Sequence, residues 1–512
     1  MQNNTSHSGS IFLDGHETDR DTFNNRAKRI ASILLSNGLV PDDPVAILLR
    51  NDTVYLEVIE ACRYVGAPYV TLNWHASTPE LSHILEDSGA RVVIGHASLT
   101  EQLDAEALPG VRIYSVPDPV EPGAARSQVE SVQLDMEQAM ASAEPVEVAP
   151  KRFRGLFAYT SGSTGRPKGI RRVIDETAPD PYLVYARMSE DLLHLRPGDR
   201  MHVSAPLYHS APCGVAVFSV FGGQADLFVS SKFDAEKFLE EVQAYGITHC
   251  YIVPTMMVRL LKLPQEVREK YDVSTLCFAI SSGSPWPAEI KQAMIDWFGP
   301  IFYESYGASE LGFITLISSE EATQKPGSVG RILPGGDIKI LDEQRRELPL
   351  GETGSIFVHL PVFGDFAYTN AEGDLSGQRH QGYSTIGDMG YLDEDGYLYI
   401  DGRSKDMIIS GGANIFPAEI EAELIKMPEV VDCAVFGAPD SEFGERVVAA
   451  VQCKDGATLS LDDVRSFLES RLARFKLPRK LDSHPELPRE DSGKIFKQRL
   501  RDPYWKDQAR KI

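Results

Sequence analysis

The stretch Tyr159-Thr-Ser-Gly-Ser-Thr-Gly-Arg-Pro-Lys-Gly-Ile170 gathers the residue types that hold a polyphosphate. Such an anion carries several negative charges and needs many donors packed closely around it. Gly162, Gly165 and Gly169 let backbone N–H groups approach. Thr160, Ser161, Ser163 and Thr164 add hydroxyls, Lys168 adds a point charge, and Pro167 stiffens the exit. The spacing is not that of the Gly-x-x-x-x-Gly-Lys-Ser/Thr loop. A flexible surface loop is also rich in Gly and Ser, so the reading depends on what lies downstream.

Four further stretches carry candidate chemistry. Tyr303-Glu-Ser-Tyr-Gly-Ala-Ser-Glu310 follows an apolar strand, at the carboxyl end where open α/β sheets hold ligands. Tyr306 offers a flat face to a purine, Ser309 a hydroxyl to a phosphate or the reacting acid, and Glu310 a carboxylate to Mg²⁺. Asp388, after Gly387, could accept both ribose hydroxyls, although Gly-Asp also makes ordinary turns. Asp401-Gly-Arg-Ser-Lys-Asp406 opens a smaller region, with Pro417 at a helix start and Glu419 and Glu421 in its first turn. Leu487-Pro-Arg-Glu-Asp-Ser-Gly-Lys494 places a lysine after a flexible glycine in a basic tail.

The elements that must position these groups alternate between helix and strand. The first hundred residues read as helix Asp21 to Asn37, strand Val45 to Leu49, helix Thr53 to Val65, strand Tyr69 to Leu72, a helix opened by Thr78-Pro79-Glu80, and strand Arg91 to Ile94. Gly38, Gly66 and Gly89 are natural helix stops. Pro117 to Pro150 is acidic and rich in Pro, Ala and Ser, an exposed connection holding at most one helix. Alternation then resumes from Met201 to Glu304, and Gly327 to Ile400 turns to short strands with an Asp395-Gly396 hairpin signal. The expected fold is α/β: a large N-terminal domain of helix-covered, mainly parallel sheets plus a β-rich subdomain, spanning residues 1–402, and a small mobile C-terminal α/β domain, 403–512.

Composition narrows the function. At 512 residues the chain exceeds one ordinary core. A net charge of −23 argues against nucleic acid or an anionic membrane as partner, while a local cluster of amides and Lys can still hold an anion. Six scattered cysteines form no Cys-x-x-Cys pair, so neither a disulfide framework nor a zinc site is expected. Met1 to Ser10 lacks an apolar signal core and no run approaches membrane-spanning length; a cytoplasmic enzyme is expected.

Taken together, the five stretches resemble the adenylate-forming superfamily of acyl- and aryl-CoA synthetases, luciferases and peptide-synthetase adenylation domains. Lys168-Gly-Ile-Arg-Arg172, Pro206-Leu-Tyr-His-Ser-Ala-Pro212, Met407-Ile-Ile-Ser-Gly-Gly412 and the ending Arg501-Asp-Pro-Tyr-Trp505 look like the bacterial acyl-CoA ligase branch. The resemblance implies ATP-dependent activation of a carboxylic acid as acyl-AMP with pyrophosphate release, then transfer to coenzyme A. It implies that Lys494 bridges carboxylate and phosphate oxygens, that Thr160 to Lys168 holds the β- and γ-phosphates, and that Glu310 holds Mg²⁺. Asp388 and Arg403 would grip the ribose, Tyr306 would stack on adenine, and the backbone at Gly283 would line its edge. His209 and Ser309 would flank the acid, Lys405 would be a hinge about which the small domain swings, and Gly411 and Gly412 would admit a narrow pantetheine arm.

Some positions depart from the commonest pattern. Ser163 and Ser309 stand for threonines and keep the hydroxyl; Leu311 is bulkier than usual after Glu310; Ala413 replaces a frequent valine. An amine acceptor attacks the same adenylate, so an amide ligase resembling coronafacic acid ligase is the alternative to a CoA ligase. A non-catalytic nucleotide binder is a third reading, which pyrophosphate exchange would separate from both. The candidate pocket segments, 206–221, 251–257, 281–285 and 312–315, are mostly apolar with small residues, and so predict a hydrophobic or cyclic acid of medium size.

Overall fold

The structure, a computed structural model, describes residues 9–103, 108–119, 134–160, 167–222, 225–283, 286, 288–369, 375–411, 413–454, 456–489 and 495–506. Two compact units interleave along the chain. The first comprises residues 1–282, 292–314 and 360–374, the second 283–291, 315–359 and 375–512.

In the first unit, short apolar runs form β1 (Ile11–Leu13), β2 (Val45–Leu48), β3 (Tyr69–Thr71), β4 (Val92–His96), β5 (Arg112–Val116), β6 (Leu156–Thr160), β7 (Lys168–Val173), β8 (Arg200–Val203), β9 (Asp226–Val229), β10 (His249–Tyr251), β11 (Phe278–Ser282), β12 (Phe302–Ser305) and β13 (Asp365–Tyr368). One sheet has the order β13-β7-β6-β3-β2-β4-β5, parallel except that β7 runs antiparallel to both β6 and β13. The other includes the order β12-β11-β10-β8-β9-β1, parallel through these six strands, with His16–Thr18 antiparallel to β1 beyond them. Strands of this kind are covered on both faces, which is why β2 and β4 are buried along their whole length and β2 reads as an unbroken apolar run.

The helices follow local rules closely. α1 (Arg20–Ser36) starts at Asp19, whose carboxylate accepts from the Thr22 N–H, and buries Phe23, Ala27, Ile30 and Leu34 at helical spacing. α2 (Thr53–Val65) is capped by Asp52 and stopped by Gly66 at φ 78°, with the bounds its sequence predicts. The helix Thr78–Ser88 begins with a capping box between Ser77 and Glu80. α3 (Ser210–Val217) follows His209. The expected connection from Pro117 to Pro150 contains one helix, Met136–Ser142, with residues 120–133 outside the described set. Several elements went unpredicted, β5 and β7 among them. β1 pairs in parallel with β9, more than two hundred residues later, and Pro181–Asp191 is a helix with Asp180 as its cap.

The second unit holds an antiparallel sheet that includes Asp337–Leu341, Gly354–His359, β14 (Asp388–Leu392) and β15 (Leu398–Arg403). Its β14–β15 hairpin turns at the predicted Asp395-Gly396, with Gly396 at φ 78°. Further along, Val430–Asp440 and Gly444–Cys453 form a long antiparallel pair. The helices Pro417–Leu424 and Leu461–Glu469 contribute Ile420, Leu424, Val464 and Leu468 to its core. Among the described residues no helix is long and apolar enough to cross a membrane.

Candidate active site

Thr160 is the last residue of β6 and Lys168 the first of β7, and the two are paired across the antiparallel ladder. Ser161, Gly162, Ser163, Thr164 and Gly165, the rest of the expected phosphate loop, lie outside the described residues. The base of that loop is tightly built. A Cβ on Gly169 would sit 2.5 Å from Thr369 Oγ1, 2.7 Å from a Phe157 ring carbon and 2.9 Å from the Tyr159 ring, so only glycine fits. The Thr369 N–H donates to Gly169 O at 2.9 Å. Tyr159 donates its hydroxyl to Asp87 Oδ2 at 2.7 Å, and Thr369 donates to the same carboxylate. Burial, then this bond to Asp87, push the Tyr159 pKa up.

Beyond β12 the chain makes a tight ribbon in which Gly307–Ala308 pairs with Gly312–Phe313. Tyr306, half-buried, accepts from the Ile314 N–H at 2.8 Å. Gly312 stands at φ 74° with its Cα against the Phe363 ring, where a Cβ would come within 2.6 Å. Ser309 and Glu310 lie on the tip of this ribbon, and β7 and β13 hold them there. The Arg172 guanidinium donates to Glu310 O at 2.5 Å and to Ser309 O at 3.1 Å. The Tyr368 hydroxyl donates to Glu310 Oε1 at 3.1 Å. The Ser309 and Ser210 hydroxyls are 3.0 Å apart. His209 immediately precedes Ser210, its ring 4.2 Å from that of Tyr208. The structure thus brings Ser309, Ser210 and the base of the glycine-rich loop onto one support within the first unit.

The remaining expectations fall in the second unit. Gly283 has φ 92° and open space where a Cβ would be. Asp388 and Arg403 are partners across the β14–β15 ladder, with Arg403 Nε 3.3 Å from Asp388 Oδ1. Gly387 at φ 85° accepts from the Ser404 N–H at 2.8 Å, which closes that end of the hairpin. Lys405 is exposed. Gly411, at φ 59°, donates its N–H to Phe443 O at 2.8 Å and lies against the Phe443 ring. Gly412 and Lys494 lie outside the described residues. The residues flanking the segment that ends at Lys494 are well fixed: Arg489 and Ile495 form a β-bridge, and the Phe496 N–H donates to Pro488 O at 2.7 Å.

Residues 8–363 match the AMP-binding enzyme family, and residues 419–494 match the AMP-binding enzyme C-terminal domain. The chain belongs to the AMP-binding enzyme family. It is 32% identical to the feruloyl-CoA synthase of an Amycolatopsis species over 498 residues, 97% of this chain and 96% of that protein. It is also 32% identical over 519 residues to the fatty acid–acyl-carrier-protein ligase ScoC of Streptomyces coeruleorubidus, covering 98% and 95% of the two chains. The crystal structure of ATP-bound MatB from Rhodopseudomonas palustris superposes with a TM-score of 0.85 at 30% identity, covering 99% of this chain and 97% of that one. The chain is therefore an AMP-forming ligase by family, and the mixed α/β architecture is that of its relatives.

The donor set fits ATP with Mg²⁺. Mg²⁺ keeps waters and phosphate oxygens among its ligands and needs one or two carboxylates. Glu310, fixed by Tyr368, can supply one, while no group of three or more His, Cys, Asp or Glu among the described residues could hold a metal by itself. Three supporting residues escaped the sequence reading. Asp87 and Tyr368 carry no local signal, because their partners are 72 and 58 residues away. Arg172 did leave one: an arginine two residues after the buried Ile170 on the same strand marks a charge facing a covered surface.

Proposed function

We propose that the chain converts a hydrophobic or cyclic carboxylic acid and ATP into an acyl-adenylate and pyrophosphate, then passes the acyl group to the thiol of coenzyme A. The observation that carries this is the shared support: β7, the strand leaving the glycine-rich loop, also holds the Ser309–Glu310 tip through Arg172. Phosphate-binding and metal-binding groups are then set on one rigid element, which is what in-line attack of one anion on another requires.

In this reading the phosphate groups are held by Thr160, Ser161, Gly162, Ser163, Thr164, Gly165 and Lys168. Tyr306 stacks on adenine beside Gly283, and Asp388 with Arg403 takes the ribose. Mg²⁺, when bound at Glu310, screens the phosphate charge. His209 and Ser309 line the acid. Lys494, carried by residues 403–512, stabilises the charge that builds as carboxylate oxygen meets the α-phosphorus. Lys405 is the hinge, and Gly411 and Gly412 leave room for the acceptor arm. The feruloyl-CoA synthase and ScoC are named for CoA and an acyl carrier protein as acceptors, not an amine, and this weights the reading toward a thiol.

The test is a panel of acids with ATP, offering CoA and amino acids separately, with products weighed by mass spectrometry. A CoA thioester is the expected product; an amide formed without CoA overturns the acceptor half. Lys494→Ala should cut acid-dependent pyrophosphate exchange by about 10²–10³, in line with other preorganised donors. Unchanged exchange would remove the proposed mechanism.

A further inference from the structure

Where the carboxyl ends of β8 and β9 meet those of β2 and β3, the chain from Ala205 to Tyr208 has left its own ladder. Its backbone groups are buried there and need partners. The partners are side chains from the other sheet. Asn51, just after β2, donates from Nδ2 to Ala205 O and to Ser230 O, both at 3.0 Å, and accepts the Leu207 N–H at Oδ1 at 2.8 Å. Tyr55, on the first turn of α2, donates to Leu207 O at 3.1 Å. Thr71, the end of β3, donates to Tyr208 O at 2.9 Å. Asn51, Tyr55 and Thr71 are 4%, 0% and 6% exposed, so none of these bonds competes with water.

The chemistry at Asn51 is selective. Two donors on one planar nitrogen and one acceptor on the neighbouring oxygen match two carbonyls and one N–H. Aspartate would set a third oxygen against Ala205 O and Ser230 O, and alanine would leave three backbone groups unpaired. The next residues along the clamped segment are His209 and Ser210, and Ser210 meets Ser309 at 3.0 Å. The five bonds end on the 205–208 backbone and Ser230, not on the β6–β7 hairpin.

We propose that Asn51, Tyr55 and Thr71 are positioning residues that set His209 and Ser210 against the acid substrate. The inference rests on the reading of His209 and Ser309 as the acid side of the site. Its signature is a loss felt by the acid and not by ATP.

The test uses the full chain and acid-dependent pyrophosphate exchange, with whichever of ferulate, indole-3-acetate or octanoate the unmodified protein turns over fastest. KM is measured for the acid and for ATP separately, with the melting temperature alongside. Asn51→Ala should raise the KM for the acid about tenfold or more and leave that for ATP within about twofold. Thr71→Val, which keeps shape and removes one hydroxyl, should raise the acid KM about fivefold, and Thr71→Ser should restore it. If Asn51→Ala does not fold, the Thr71 pair decides alone. A parent that exchanges pyrophosphate, with variants that lose only melting temperature or shift both KM values together, overturns the positioning role. A parent that shows no exchange with any acid sinks the adenylation reading and this inference with it, so the two failures are told apart by where activity is lost.

Discussion

The Glu310 tip of the first unit and the β14–β15 hairpin of the second each present a carboxylate beside an arginine, but they are held by different forces. At the tip, the half-buried Arg172 spends its donors on the backbone carbonyls of residues 309 and 310, and Tyr368 takes the carboxylate. At the hairpin, Arg403 faces Asp388 directly at 3.3 Å, with the arginine side chain 41% exposed. The first arrangement fixes the backbone whatever the state of the carboxylate. The second pairs a partly exposed arginine with a buried carboxylate, 7% exposed in its side chain, so loss of the arginine would take a counter-charge from a buried group. The tip is held through main-chain carbonyls, the hairpin through a direct pairing of charges.

The sharpest way to break this contrast is at the base of the glycine-rich loop. Gly169→Ala pushes a methyl into Phe157, Tyr159 and Thr369, and should cost about 3 kcal/mol of stability by urea titration. A loss below half of that would show that the β6–β7 support is soft. Arg172→Leu leaves the carbonyls of residues 309 and 310 without their guanidinium and should cost about 2 kcal/mol, together with a fall in pyrophosphate exchange. If stability falls and exchange does not, the arginine supports the fold and not the site.

A second buried carboxylate facing a partly exposed arginine lies in the first unit. Glu57 on α2 lies 2.7 Å from Arg26 on α1 and is 1% exposed in its side chain. Burial outweighs Arg26 and raises its pKa from the ordinary 4.5 to about 7. Between those two values the folded chain keeps a proton that the unfolded chain has released, so stability falls as pH rises through that window. Glu57→Gln should flatten this slope and leave the protein on the order of 1–2 kcal/mol more stable at pH 8 than the parent, read from melting curves at pH 5 and pH 8. A parallel pH profile in parent and variant would show that the pair stays charged throughout. The smallest effect is expected at the hairpin: Arg403→Gln removes the charge facing the buried Asp388 carboxylate but keeps an amide donor, and should cost about 1 kcal/mol. A loss of about 3 kcal/mol or more would show that the buried carboxylate depends on the full charge of Arg403.

Local code accounts for much of what the sequence made legible. α2 has its predicted bounds because Asp52 caps it and Gly66 supplies the left-handed stop, both short-range effects. The hairpin at Asp395-Gly396 is legible for the same reason. β1 was missed because three residues of strand have no pattern of their own, and their partner β9 is supplied by the fold. The candidate residues were readable as types: a hydroxyl, a carboxylate or a glycine at a telling place. What holds them was largely not readable, since Asn51, Tyr55, Thr71 and Tyr368 act on distant groups, most of them backbone.

The sequence by itself determined the alternation of helix and strand, the glycine-rich stretch after β6 and the order of motifs that places the chain in the AMP-binding enzyme family, because each depends on side-chain type and short spacing. Only the tertiary structure decided which strand supports the Glu310 tip and which side chains clamp residues 205–208. Those choices are hydrogen bonds to main-chain groups, and every residue type offers the same N–H and C=O, so sequence carries no mark of which one is taken.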